Sequence, residues 1–292
     1  MAYTSIQEIL TICDTEEISF FEAVLQEDMR ERGVNREDSI EKMTNLWDAM
    51  LAAAHSYDTN LKSPSGLVGG DGGKLEHYRS QSQGYCDDFT LEVMEQALQM
   101  GESNACMKRI VAAPTAGSCG VLPAVLVPLF RRNRESSNKI TEALYVAAGV
   151  GQVIASRAFI AGAAGGCQAE IGSASAMAAA ALTYLKSGSP QQISESVAIS
   201  LKSLLGLACD PVAGLVEVPC VKRNVTGAVN ALTSADMALA GIKSAIPADQ
   251  VIDAMKDIGE KMHVSLRETG EGGLAATPKG EEIKSKILSG NV

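Results

Sequence analysis

Three cysteines are the residues of this sequence best suited to do chemistry: Cys167 in GGCQAEIG, Cys209 in LACDPVAG and Cys220 in VPCVKRN. Thiolate is the ligand that iron-sulfur clusters require, and a cluster held by three cysteines keeps one iron open to bind a substrate oxygen as a Lewis acid. No two of the three are close enough in sequence to form the CxxC knuckle of a zinc ribbon, so a shared site must be assembled by tertiary packing. Free cysteine is also among the most buried residue types and packs like a small hydrophobe, which is the competing reading. Backbone-loosening residues flank each one: Gly165 and Gly166 before Cys167, Asp210-Pro211 after Cys209, and Pro219 before Cys220. These either let amides turn toward cluster sulfurs or simply break helices.

The remaining cysteines divide. Cys13 and Cys106 fall in or beside amphipathic helical patterns and Cys86 in a polar stretch, all consistent with structural roles, whereas Cys119 lies in the loop PTAGSCG ahead of an apolar segment. In that loop the amides of Thr115, Ala116, Gly117 and Ser118, at a helix N-terminus, could receive a substrate carboxylate; alternatively the loop is a turn capped by Ser118. Arg223, three residues after Cys220, carries the planar fork that pairs with carboxylates, and Glu170, three after Cys167, could orient a substrate ammonium. Either could instead belong to a structural ion pair. The glycine-rich SGLVGGDGGK lacks the GxxxxGK[ST] spacing of a nucleotide loop. It reads better as a mobile active-site loop, with Lys62, Ser65 and Lys74 as candidates for catalytic acid-base work. His55, His77 and His263 are scattered and argue against a histidine-centred site.

The elements that must position these residues read as helical throughout. Ser5 with Glu8 and Ser19 with Glu22 have capping-box spacing, and Gly33 can stop the second helix. A third follows Asn35–Asp38, with Ile40, Met43, Leu46, Trp47, Met50 and Leu51 on one face. Together they predict an amphipathic helical N-terminal region over 1–60. The stretch 61–84 reads as loop, and 90–100 as a helix closed by Gly101. The segment 121–130, apolar and β-branched with two prolines, is not assignable from periodicity. Residues 140–160 and 171–185 read as buried helices rich in small residues, and 190–205 as a helix opened by Ser189-Pro190 and ended by Gly206. Further helices are expected over 224–240, 247–262 and 278–288, with GEGGLAATP as a loop before the last. The expectation is an all-α fold, a single compact multi-helix domain over 1–292 with glycine-rich active-site loops.

Composition narrows the function classes. The chain has 292 residues, enough for a sizeable core, and seven cysteines, an odd number; no signal peptide is visible in MAYTSIQEIL. A reducing, cytoplasmic setting is therefore expected. A formal net charge of −10 argues against nucleic acid or an anionic membrane surface as partner. The low-charge stretch 158–185 is interrupted by Glu170 and too rich in alanine, glycine and serine for a spanning helix. With 46% hydrophobic but only 4% aromatic residues, the core must be aliphatic and alanine-built, allowing close helix approach.

With those residues in place, the chain resembles the alpha subunits of bacterial iron-sulfur-dependent L-serine dehydratases. The resemblance runs from SGLVGGDGGK through APTAGSCGVLPAVL, GAAGGCQAEIGSASAMAAAAL and CDPVAGLVEVPCVKRN to RETGEGGLAATP. It implies a 4Fe-4S cluster on Cys167, Cys209 and Cys220 with one iron not ligated by cysteine, and no pyridoxal phosphate. It also implies a cytoplasmic lyase of amino-acid degradation, feeding gluconeogenesis, that converts L-serine to pyruvate and ammonia. Single-chain members of the family look like this chain preceded by a smaller α+β domain, so a separate beta subunit and a hetero-oligomer are implied. They also end near a cysteine that can occupy the open iron, whereas this sequence ends in ILSGNV, so that route of self-inhibition is not expected. Three alternatives stand beside this reading: a β-elimination lyase acting on L-threonine or L-cysteine, a pyridoxal-phosphate lyase, and a non-catalytic cluster-binding subunit.

Overall fold

Hydroxyl and amide caps set the first helices. In the computed structural model, Ser5, Ser19 and Asn35 accept from the amides of Glu8, Glu22 and Asp38 at 3.0, 3.1 and 2.9 Å and open α1 (Ile6–Glu16), α2 (Phe20–Arg32) and α3 (Arg36–His55). Gly33 stops α2 in the left-handed region, φ +64°, where only glycine is unstrained. The structure describes residues 3–81 and 84–290. The expected domain ends at 1–2 and 291–292, part of the expected loop before Gly84, and the last two residues of ILSGNV therefore lie outside the described residues.

The next two elements correct the sequence reading. Within the expected loop, 61–70 is irregular, but DGGKLEHYRS forms α4 (Asp71–Ser80). Its N-terminus is capped from another helix, the Glu102 carboxylate accepting from the amides of Asp71 at 2.7 Å and Gly72 at 3.1 Å. Gly72 reflects close packing, because a Cβ there would stand 2.6 Å from Gln99. Gly101, expected to end its helix, lies inside α5 (Asp88–Ala105), where a Cβ would press on Val221 at 3.2 Å. In both cases glycine buys helix-helix proximity at some loss of helix propensity.

The unassigned apolar segment is helical, α6 (Val121–Arg131), with Pro128 inside it. It is followed by α7 (Ser137–Arg157), the single turn α8 (Gly162–Gly165), a π-helical turn over Gln168–Gly172 and α9 (Ser173–Leu185). Ser189 and Gln192 form a reciprocal capping box with Pro190 in the first turn of α10 (Pro190–Lys202). The remaining helices are α11 (Cys220–Leu239), α12 (Ala248–Lys261) and α13 (Pro278–Leu288). The GEGGLAATP segment holds a short 3-10 turn at Gly273–Ala276. Among the described residues there are thirteen α-helices and no β-strand, so the fold is all-α.

The alanine-rich α9 is the central rod. Ala174, Ala176 and Ala178–Ala181 have no exposed surface, and α6, α7, α10 and α11 pack around it. On its flank α5 lies against α4, α6 and α11, while α2 and α3 cover α7. One apolar cluster extends from Ile6 and Trp47 through Val121–Val127 and α9 to Met255. Asp249 of α12 caps the start of α1, accepting from Ile6 N at 2.8 Å and Gln7 N at 3.0 Å, and so joins opposite ends of the sequence.

Candidate metal centre

The three thiols come from three backbone irregularities, and the close donor group holds those of Cys167 and Cys209 but not that of Cys220. Cys167 follows Gly166, held at φ +77°, and starts the π turn that leads into α9. Such single π turns widen a helix locally and recur at functional sites. Cys209 lies beyond α10 in extended backbone: its amide donates to Leu266 O at 2.8 Å and its carbonyl accepts from Glu268 N at 2.7 Å, forming an isolated bridge with Arg267. The RETGEGG segment is thereby pinned beside it. Cys220 is the first residue of α11, four residues earlier than that helix was expected to begin.

All three are buried, and all seven cysteines are free. The Cys167 and Cys209 sulfurs and a Glu170 carboxylate oxygen lie within 4.8 Å of one another. A hydrogen bond from Cys209, opposed by burial and aided by Arg223, holds the Cys167 thiol below its ordinary range. Donation to Cys167 together with burial raises Cys209. Burial, with the charges of Cys167 and Glu170, pushes Cys220 up to about 12. The three thiols therefore sense one another electrostatically, and a metal entering here must displace protons.

Three buried side chains, Gln168, Asn224 and Asp210, and the half-buried Arg223 hold this geometry. Gln168 donates from Nε2 to Gly165 O at 2.9 Å and Met255 O at 3.0 Å, and accepts from Gly206 N at 2.9 Å, tying the Cys167 turn to the segment leading to Cys209. Asn224 donates to Gly117 O at 2.9 Å and Cys220 O at 3.0 Å, and accepts from Gly120 N at 2.9 Å, tying the PTAGSCG loop to α11. Arg223 donates to Ala208 O at 2.7 Å and Asp210 at 2.8 Å, and Asp210 also accepts from Leu274 N at 2.8 Å. Sequence reasoning singled out Arg223 as a substrate ligand. Its guanidinium is engaged with the Cys209 segment and Cys167. It did not pick out Gln168, Asn224 or Asp210, although an uncharged amide in an apolar, low-charge run is a signal for a buried polar hub.

The other candidates take varied places. Thr115 donates to Glu170 at 2.8 Å and lies 3.0 Å from the Ser118 hydroxyl. The amides of Ala116, Gly117 and Ser118 meet no acceptor among the described residues. A cleft of about 580 Å³ is lined by Ser65, Ala116, Asn104, Val216 and Glu217 among others. Ser63 and Ser65 both donate to the buried Glu217 carboxylate, Ser63 at 2.8 Å. Lys62 donates to Gly69 O at 2.5 Å, clamping its own loop, and Lys74 is exposed on α4, paired with Asp71 at 2.7 Å.

A family model described as serine dehydratase alpha chain matches residues 15–275. The chain belongs to the serine dehydratase alpha-chain family. A "Probable L-serine dehydratase, alpha chain" of Bacillus subtilis (strain 168) is 45% identical over 288 residues, covering 99% of this chain and 96% of that protein. The "L-serine dehydratase, alpha chain" of Peptoniphilus asaccharolyticus is 40% identical, covering 97% of each. An "L-serine dehydratase" of Mycobacterium tuberculosis (strain CDC 1551 / Oshkosh) is 36% identical over 94% of this chain but only 61% of its own length. In this member of the serine dehydratase alpha-chain family, the Cys167, Cys209 and Glu170 group could bind a metal. The donor set fits a sulfur-ligated iron centre better than a hard cation, because soft thiols outnumber carboxylate oxygens. Gly162 leaves a cradle over it: a Cβ there would stand 2.8 Å from both Cys209 Sγ and Glu170 Oε2. Among the described residues no helix is long and apolar enough to cross a membrane.

Proposed function

We propose that the chain is the catalytic alpha subunit of an L-serine dehydratase, assembled with a separate beta subunit. The substrate L-serine loses its α-proton and β-hydroxyl, and the released aminoacrylate tautomerises and hydrolyses to pyruvate and ammonia. The observation that carries the reading is the convergence of buried Cys167 and Cys209 on the Glu170 turn, in a chain that aligns almost end to end with proteins named for this activity. Cys167, Cys209 and Cys220 are the residues that would hold a 4Fe-4S cluster. When bound, that cluster would supply Lewis-acid assistance to the departure of hydroxide, a poor leaving group at neutral pH.

The chain's own residues do the rest. The amides of Ala116, Gly117 and Ser118 form a donor loop suited to a substrate carboxylate, while the Thr115 hydroxyl is given to Glu170. Arg223 and Asp210 keep the Cys209 segment in place. Of Lys62, Ser65 and Lys74, Ser65 is the candidate that lines the cleft, where its hydroxyl donates to the buried Glu217 carboxylate. The closed, low-dielectric setting of the thiols strengthens every charge interaction in the site.

The test is anaerobic purification of the chain with its beta subunit, followed by iron and sulfide analysis and parallel turnover of L-serine, L-threonine and L-cysteine. The expected result is a cluster-bearing complex that releases pyruvate from L-serine in preference to the other two. Full iron and sulfide content without pyruvate release would sink the proposal.

A further inference from the structure

Glu170 is an acid without a basic partner in a place where one is needed. Its carboxylate is largely buried, which raises its pKa, an effect that the Thr115 hydrogen bond offsets and Glu268 reinforces. One oxygen, Oε1, accepts from the Thr115 hydroxyl at 2.8 Å. No lysine, arginine or histidine nitrogen lies within ion-pair distance of either oxygen among the described residues. Arg223, the cation of the thiol centre, spends its two terminal nitrogens on Ala208 O and Asp210. The structural ion pair that would have explained this residue is therefore absent among the described residues.

The space beside the carboxylate has been kept clear. Gly162 at the start of α8 and Gly117 in the PTAGSCG loop flank it: a Cβ on Gly162 would meet Oε2 at 2.8 Å, and one on Gly117 would meet Oε1 at 3.2 Å. Gly117 also belongs to the run whose amides have no acceptor, so an anion-binding element and an unpaired carboxylate stand side by side next to the thiols. A zwitterion has the complementary charge pattern. Its carboxylate suits the amides, its ammonium suits Glu170, and its β-hydroxyl is left directed toward Cys167 and Cys209.

We propose that Glu170 is the specificity-determining residue that receives the α-ammonium of the substrate, selecting 2-amino acids over acids that lack the amine. This rests on the serine dehydratase reading and deepens it. Thr115 fixes the carboxylate toward the PTAGSCG loop, and charge-assisted bonds of this kind are roughly twice as strong as neutral ones.

The test compares the cluster-loaded, assembled enzyme with Glu170→Gln and Glu170→Asp variants. The readouts are KM for L-serine, competitive inhibition by 3-hydroxypropionate, which is serine without its amine, and the electron paramagnetic resonance spectrum with iron content. Glu170→Gln is expected to raise KM for L-serine by about 10- to 100-fold. The 3-hydroxypropionate inhibition constant and the spectrum should stay unchanged, and Glu170→Asp, which keeps the charge, should fall between. Equal weakening of both ligands would overturn the assignment, because it would mean a general structural role. A changed spectrum or iron content would overturn it too, making Glu170 part of the metal-holding set. An unaltered enzyme that loads its cluster but neither turns over nor binds L-serine would overturn the underlying reading before any variant is made.

Discussion

The N-terminal helices and the thiol centre are built on opposite principles. Helices α1, α2 and α3 are each opened by a side chain that caps its own helix within three residues, and α2 is stopped by a left-handed glycine. At the centre, α8, the π turn and α11 have no side-chain cap. There Gln168 of the π turn and Asn224 of α11 instead bind backbone groups of segments distant in sequence, at Met255, Gly206 and Gly120. Both regions bury a cysteine with a raised pKa: burial pushes Cys13 up to about 11 and Cys220 up to about 12. A high thiol pKa therefore does not distinguish a ligand from a packed residue. The company the sulfur keeps does: burial leads at both, but the charge that adds to it at Cys13 is only Asp14, the next residue, whereas at Cys220 it comes from Cys167 and Glu170, another thiol and a carboxylate of the centre.

The sharpest way to break this contrast is to change one sulfur in each region. Cys209→Ser is expected to abolish cluster loading and lower turnover of L-serine by on the order of 10³-fold, equivalent to several kcal/mol of lost Lewis-acid assistance. Thermal unfolding of the apoprotein should move little. Cys13→Ala should do the reverse, costing about 1–2 kcal/mol of stability with iron content and turnover per cluster unchanged. Iron analysis, pyruvate release and denaturant titration on both variants decide it. If Cys13→Ala lost its iron as well, the two regions would not be separable.

A smaller effect tests how the centre is held. Gln168→Met keeps side-chain length while removing bonds to Gly165, Gly206 and Met255, leaving the carbonyls of buried Gly165 and Met255 without them. The expected loss is roughly 2–4 kcal/mol in stability, accompanied by partial iron occupancy. Reconstitution with excess iron and sulfide should restore spectrum and activity only in part. A variant that unfolds earlier yet loads iron fully would make Gln168 a packing residue with no particular tie to the thiols.

The same contrast explains what could be read in the sequence. Caps at Ser5, Ser19, Asn35 and Ser189 are written within four residues of where they act, and each opens a helix, α3 starting at Arg36, within the Asn35–Asp38 stretch it was expected to follow. Helix α4 was invisible because its cap, Glu102, is thirty-one residues away from Asp71, and because Gly72 looks like a loop former until Gln99 is seen against it. Gly101 misled for the same reason, its missing Cβ being required by Val221 of another helix. The three cysteines were legible as candidates from their Gly and Pro flanks, and the PTAGSCG loop from its position ahead of an apolar segment. That Arg223 is committed to Ala208 and Asp210, and that Glu170 has no cation beside it, are facts of tertiary packing that no local pattern encodes.

The smallest effect belongs to the locally built region. Arg36 grips Glu22 through two bonds, 2.7 and 2.9 Å, clasping α3 to α2. The bond from Arg36 is the main reason the Glu22 carboxyl sits below its usual value. A folded-state pKa below the unfolded one means the pair stabilises fully above the ordinary glutamate range and loses that contribution as pH falls through the lowered value. Because both side chains are partly solvated, Arg36→Ala should cost no more than about 1 kcal/mol at pH 7. The difference from the unaltered protein should shrink toward zero under acid conditions, while iron content stays constant at neutral pH. Urea midpoints at the two pH values give the result directly. A gap that persisted in acid would mean that Arg36 acts through its packing over the Phe21 ring, 6.0 Å from the centroid, and not through its charge on Glu22.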